Sequence, residues 1–220
     1  MSRKLIDVSH EIEAGMITYP GLPAPVISDY LNREASEGRY APGTTFQIGR
    51  IEMVANTGTY VDAPFHRFES GLDLADLPLE RLADLPGLVI DATNRQSRAI
   101  EVAQIRRSDL RGRAVLIRTG WDVHWRTPQY GENAPFLTRS AAEFLASVQP
   151  ALVGIDSLNI DDQSDGMRPA HTLLLQAGIP IAEHLCRLEK LPLSGFRFHC
   201  VPVKFRGVGT FPVRAYAVIE

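Results

Sequence analysis

The sequence predicts a mixed α/β fold with a substantial antiparallel or barrel-like sheet and short flanking helices. Three observations carry this. Apolar runs of strand length, GLVID, RAVLIR and ALVGID, alternate with short helical patterns. Glycine and proline interrupt that alternation too often for a regular doubly wound sheet. The C-terminal segments RFHCVPVKFRG and PVRAYAVIE close the chain as two β-like segments separated by GVGTFP. At 220 residues the chain buries roughly 70% of its unfolded surface, so a single domain, 1–220, folds without a metal or disulfide staple.

The elements follow in order. Residues 5–8 read as a first strand. The stretch 15–25, with Pro20-Gly21, Pro23 and Pro25, reads as an ordered loop, because proline lacks a donor and fixes φ. Residues 25–43 are polar and irregular, a candidate flap. From Thr44, TTFQIGRIEMVAN turns β-like, with Gly49-Arg50 as a hairpin turn, and delivers the chain into NTGTYVDAPFH. Repeated Leu, Asp and Pro over 72–85 favour short helical turns. GLVIDAT is a buried strand, and IEVAQIRRSDL a short helix with Val102 and Ile105 on one face. RAVLIRTG is a strand running into the aromatic loop WDVHWRTPQYGENAPF. Thr138 or Ser140 caps the helix AAEFLASV, Pro150 stops it, and ALVGIDS is a third buried strand. A helix from His171 to Gln176 ends at Ala177-Gly178, where glycine suits the left-handed terminating position, and IPIAEHL is a short strand.

Composition narrows the function. The net charge is -3, from 23 Lys and Arg against 26 Asp and Glu, with the basic residues scattered, so no coherent face for nucleic-acid phosphates is expected. Cys186 and Cys200 lack CxxC spacing and suit a reducing compartment. The start, MSRKLIDVSHEIEAG, has no apolar core after its basic residues, and no run reaches the length of a membrane span. A soluble cytoplasmic protein acting on a small molecule is expected.

Candidate chemistry gathers in NTGTYVDAPFH. Asp62 precedes a stiff Ala63-Pro64 turn and His66 follows four residues later, so one rigid loop presents a carboxylate and an imidazole together. Metal binding and general acid–base chemistry both use that pairing. A plain surface turn, with Asp62 on backbone amides and His66 on a carbonyl, fits the spacing as well. His171 and Glu183 are parted by a helix and a tight turn that can return them to one place, although Glu183 can equally pair with Arg187.

The chain resembles the cyclase family of metal-dependent hydrolases, which includes bacterial kynurenine formamidases and isatin hydrolases. The resemblance rests on LIDVSHEI with ITYPG, LIRTGW, VGIDS, HTLLLQAGIPIAEHL and GTFPVRAYAV, in order along nearly the whole chain. The family signature is His-x-Gly-Thr-His-x-Asp-x-Pro-x-His. Against it stand Asn56-Thr57-Gly58-Thr59-Tyr60-Val61-Asp62-Ala63-Pro64-Phe65-His66, with asparagine and tyrosine where the first two histidines belong. The resemblance implies one divalent ion, zinc or manganese, on Asp62, His171 and Glu183, with Asn56 as a further oxygen donor. It implies that the metal site drawing on the two missing histidines is lost. It implies His66 as general base or proton shuttle, Tyr60 as a partner of substrate or water, a swivelling β/β/α fold, and a homodimer or homotetramer.

On this reading the protein hydrolyses a small amide, formamide or lactone with an activated water. Two alternatives use the same residues: a metal-free module binding a small carboxylate or amide, and a metal-free isomerase or dehydratase with His66 as base and Tyr60 as acid. Trp121, Trp125 and Tyr130 are candidates for an aromatic substrate slot. His10 and His124 are candidate replacement metal donors, and His184 and His199 are expected to satisfy local hydrogen bonds.

Overall fold

The computed structural model describes residues 3–220. Strand β1 (Lys4–Asp7) opens the chain. A ribbon follows, built from β2 (Val26–Leu31) and β3 (Ile48–Glu52), with the single helical turn α1 (Arg33–Ser36) between them. After β4 (Tyr60–Asp62) and a 3-10 turn, Pro64–His66, comes the α/β portion. It holds β5 (Leu85–Asp91), β6 (Ala99–Ile100), α2 (Val102–Ile105), β7 (Ala114–Arg118), β8 (Phe136–Leu137), α3 (Arg139–Val148), β9 (Leu152–Ile155), α4 (Pro169–Gln176) and β10 (Ile181–Glu183). The chain closes with β11 (Ser194–His199), β12 (Thr210–Pro212) and β13 (Tyr216–Ile219).

Nine strands form one sheet, in the order β1-β13-β11-β5-β7-β9-β10-β4-β12. Its centre, β5-β7-β9-β10, is parallel, and every other pairing is antiparallel. The sheet curls toward a barrel, because chain beyond β1 and β12 links the two sides. Val8 N–H donates to Ala215 O at 2.9 Å, Cys186 N–H to Val8 O at 3.0 Å, and Val213 N–H to Thr59 O at 2.9 Å.

Strand periodicity sorts the core into two layers. Leu85, Val89, Ala114, Leu116, Leu152 and Ala182 point into the curled sheet, where they meet Phe196 and Phe198. Leu88, Ile90, Val115, Ile117, Val153, Ile155 and Ile181 point outward, under Ile105, Leu145 and Leu174 of the helices. Burial on both faces explains why these strands read as unbroken apolar runs. Thr138, not Ser140, caps α3 by accepting from Ala141 N–H at 3.3 Å. No helix among the described residues is long and apolar enough to cross a membrane.

Three expectations need correction. The stretch 25–43 is not irregular throughout, because β2 lies in it and pairs antiparallel with β3, Ile27 opposite Ile51. Gly49 and Arg50 sit inside β3 opposite Asp29 and Ser28, not in a turn. The ribbon is almost wholly exposed, so it has no buried face to impose the alternation by which strands are read. Nor does β3 run into the NTGTYVDAPFH segment: it ends at Glu52, and the chain turns through Gly58 at φ +67°, where a side chain would meet Ile12 Cγ1 at 2.8 Å.

Candidate metal centre

The site is assembled by the register of β4 between β10 and β12. Pairing sets Tyr60 opposite Glu183, and Asp62 opposite Ile181 on one side and Thr210 on the other. The 3-10 turn after Pro64 then brings His66 back toward Asp62, their facing atoms 3.8 Å apart. Helix α4 supplies His171, whose Nε2 lies 3.7 Å from Asp62 Oδ2 and 3.7 Å from Glu183 Oε1.

Asp62, His66 and His171 each offer a ligand atom within 4.8 Å of the others. Asp62 is fully buried, and its Oδ2 has no hydrogen-bond partner. A desolvated, unpaired carboxylate oxygen is costly unless a cation faces it, so the donor set fits a divalent ion. Burial alone would raise the Asp62 pKa. The charges of His66 and His171 and the Thr210 hydroxyl outweigh it and hold the carboxyl below its ordinary range.

The neighbouring contacts fix the orientation of each imidazole. The Thr210 hydroxyl donates to Asp62 Oδ1 and lies 2.8 Å from His66 Nδ1. With its proton committed to the carboxylate, Thr210 accepts from His66 Nδ1–H, so in the neutral ring the lone pair sits on Nε2. Asp161 accepts from the amides of Ala170 and His171 at 2.6 and 3.0 Å, satisfying the first turn of α4. Its Oδ2 also meets His171 Nδ1 at 2.7 Å, which turns Nε2 toward Asp62. Burial disfavours the His171 cation, but Glu183, Asp161 and Asp62 overcome that and raise its pKa well above the usual value.

Glu183 is buried and accepts at both oxygens, from Tyr60 O–H at 2.7 Å and Ile160 N–H at 2.6 Å. Burial pushes its carboxyl up to about 7, with His171 opposing and Asp62 adding to the rise. Behind it, Tyr60 Oη lies 3.2 Å from His184 Nε2, and His184 Nδ1 lies 2.8 Å from Tyr130 Oη. Since Tyr60 gives its proton to Glu183, the chain of donors runs from Tyr130 through His184 and Tyr60 to Glu183. Burial holds His184 neutral, with His10 adding to the effect, and its pKa falls to about 3.

These residues border a cavity of about 300 Å3 lined by Asn56, Tyr60, His66, His171 and Glu183, with Tyr19 among the other lining residues. Sequence similarity agrees with the geometry. Residues 6–162 match the family described as "Putative cyclase". The chain belongs to the cyclase family. It is 28% identical over 211 residues to the kynurenine formamidase of Bacillus cytotoxicus, spanning 96% of this chain and 95% of that one. It superposes on a solved potential metal-dependent hydrolase with cyclase activity at a TM-score of 0.81, with 27% identity, 100% of this chain and 99% of the other covered. Isatin hydrolase A from Labrenzia aggregata, at 22% identity and a TM-score of 0.79 over 99% of this chain and 94% of its own, shares the fold. As a member of this family, the protein carries an Asp/His/His site of the composition used for metal-assisted hydrolysis.

The expectation that Asn56 and Tyr60, in place of two signature histidines, leave a depleted metal signature is therefore corrected: an intact triad of Asp62, His66 and His171 converges. The signature aligned by position alone, whereas His66 reaches the cluster by folding back over the Pro64 turn. Other expectations are also revised. Glu183 lies on a strand and faces Tyr60, while Arg187 donates to Ser9 O and Cys186 Sγ, so the two form no helical pair. His184 and His199 both make long-range hydrogen bonds, not local ones, His184 with Tyr60 and Tyr130, and His199 Nδ1 accepting from Asp84 N–H. His10 stacks on Trp125 at 4.0 Å, and His124 packs on Trp121, so neither supplies a donor to the cluster. Trp121, Trp125 and Tyr130 pack together with Leu158 and Tyr19, and only Tyr19 of these lines the cavity. Asp161 and Thr210 are the residues that sequence reasoning missed, and His184 was expected only to make local hydrogen bonds.

Proposed function

We propose that this protein hydrolyses a small amide, formamide or lactone, with zinc or manganese held from Asp62 and His171 and with Asn56 and Glu183 as nearby oxygen donors. The observation that carries the reading is the unpartnered, buried Asp62 Oδ2 facing Nε2 of His171, whose imidazole lines a small cavity. When bound, such an ion polarises a carbonyl and lowers the pKa of water. The kinship to a kynurenine formamidase supports an aryl formamide as substrate.

His66 is the most exposed member of the triad, its side chain 35% accessible. Its free Nε2 takes a proton from the attacking water. That proton passes to the leaving nitrogen, or to the lactone oxygen, as the C–N or C–O bond breaks. Tyr60 holds Glu183 in place, and His184 holds Tyr60. Metal analysis of the purified protein, paired with turnover of formanilide and dihydrocoumarin, tests the reading. Metal-stimulated turnover is expected, and absence of both bound metal and turnover overturns it. His66→Gln separates proton transfer from ligation: retained metal with turnover reduced about 100- to 10,000-fold supports the former.

One continuous sheet joining strands from both ends of the chain supports reading 1–220 as a single domain. Two buried free cysteines support a reducing, cytoplasmic setting. The exposed apolar residues of the ribbon, including Val26, Ile27, Tyr30 and Ile51, support a homodimer or homotetramer, which light scattering checks.

A further inference from the structure

The mouth of the cavity carries charge that hydrolysis itself does not require. Arg67 and Arg168 both line it, together with Asn56, Asn159 and Tyr19. Each guanidinium makes one hydrogen bond, to a neutral oxygen: Arg67 Nε to Thr172 Oγ1 at 3.3 Å, and Arg168 Nη1 to Asp162 O at 3.0 Å. A guanidinium has five N–H donors, so most of each fork remains available. Some arginines elsewhere are taken up by carboxylates, among them Arg98 with Asp162, Arg118 with Asp91, Arg126 with Glu13, Arg197 with Asp84 and Arg214 with Asp7. Among the described residues, Arg67 and Arg168 have no such partner, in a protein whose acids outnumber its bases.

Their placement is specific. Arg67 directly follows His66, and its bond to Thr172 ties that turn to the first part of α4. Arg168 begins α4, three residues before His171, in a left-handed conformation at φ 45°. A non-glycine residue held there is uncommon and costs energy, and here it sits at the rim of the site. The cavity lining therefore combines Glu183 and the imidazoles beside the buried Asp62 with two guanidiniums that have no carboxylate partner. Carboxylate recognition by arginine is bidentate and strong for just such a pairing.

We propose that Arg67 and Arg168 form an anion subsite, and that the substrate is an amide or lactone carrying a carboxylate on the part remote from the scissile carbonyl. The assignment rests on the hydrolytic reading for the word substrate, but the subsite stands as a binding site without it. A cavity of about 300 Å3 suits one aromatic ring bearing both groups.

The test compares 4-formamidobenzoate with formanilide, which share the reacting formanilide unit and differ in the carboxylate. The ratio of their kcat/KM values is measured in the metal-loaded wild type and in Arg67→Gln/Arg168→Asn. Asparagine is chosen because it tolerates the left-handed backbone. The wild-type ratio is expected to favour the carboxylate roughly 10- to 100-fold, and to fall toward one in the double variant. A wild-type ratio near one, or one that the variant leaves untouched, overturns the proposal. Calorimetric binding of benzoate against benzamide provides a readout free of turnover. If neither formamide reacts, the formamide reading fails, and the subsite is judged on binding alone. Benzoate binding more tightly than benzamide, and losing about tenfold in the double variant, supports it; equal binding of the two ligands overturns it. Arg67→Lys/Arg168→Lys, which keeps the charge and removes the fork, guards against a folding defect: an intermediate affinity is expected, and wild-type affinity counts against bidentate recognition.

Discussion

Tyr60 donates its phenolic proton to Glu183 Oε2 at 2.7 Å across the β4–β10 pairing that sets the two residues opposite each other. Both are buried, and the same phenol oxygen faces His184. Tyr60→Phe removes the hydroxyl without changing the ring, so Glu183 loses a donor and His184 an acceptor where no water replaces them. A buried polar group left in this way costs about 1–3 kcal/mol. For a chain of this size that corresponds to a melting temperature lower by roughly 2–10 °C. Thermal unfolding followed by circular dichroism checks it, and an unchanged midpoint would show that the bond contributes nothing net.

Asp161 acts on His171 from behind. Asp161→Asn keeps an oxygen for the α4 amides but puts a neutral group against His171 Nδ1, 2.7 Å away. Metal affinity should fall roughly 10- to 100-fold, as is usual when the partner of a ligating imidazole is lost. Competition titration with a chromogenic chelator measures this directly.

Thr210 bonds both Asp62 and His66, so Thr210→Val releases the His66 ring while changing little volume. Turnover should drop about 10- to 100-fold with smaller loss of metal. If kcat and metal content fall in proportion, Thr210 serves the ion and not the base.

What was legible in the sequence follows from which contacts are local. The central strands announced themselves because both of their faces are buried, whereas the ribbon β2–β3 has no buried face and left no pattern. Asp62 and His66 lie four residues apart and could be read as one loop. Thr210, 148 positions from Asp62, could not. Asp161 and Asp162 are adjacent and chemically alike, and only the fold turns the first inward, at 2% exposure, while the second pairs with Arg98. Position alone made Asn56 and Tyr60 look like losses, because convergence of His66 with His171 depends on tertiary packing.

Two buried histidines set a pH dependence of stability. Burial lowers the His184 pKa to about 3, and burial with the Arg187 charge lowers that of His10 to about 4. Below the unfolded value of 6.5, the unfolded chain binds protons that the folded chain refuses, so stability present above pH 6.5 is lost as pH falls. Between pH 7 and 5 the loss should be about 2 kcal/mol per histidine. Glu183, raised to about 7, shifts stability the opposite way over this range. Urea unfolding of the wild type and of His10→Gln is therefore compared at the two pH values, and the variant should lose about half of these histidines' contribution.

The turn that carries His66 is pressed from outside by glycine. At Gly209 an added methyl would lie 2.3 Å from His66 N and 2.5 Å from its Cα, and at Gly71 another would lie 2.6 Å from the Pro64 carbonyl carbon. These obstacles are backbone, which cannot rotate aside as a flexible side chain can. Gly209 also accepts from Ala63 N–H at 2.7 Å, so β12 cannot retreat without breaking the bond that anchors the start of the turn. Gly209→Ala should therefore displace His66 and destabilise the fold by about 1–3 kcal/mol. Gly178 offers a contrast, since its own added methyl would meet nothing within 4 Å and only its φ of +71° opposes substitution. Gly178→Asn, compatible with that backbone, should leave turnover near that of the wild type, whereas Gly209→Ala should lower kcat at least tenfold, about 1.4 kcal/mol in the barrier. Equal activity in the two variants would mean that the close packing of Gly209 on His66 does not set the position of the base.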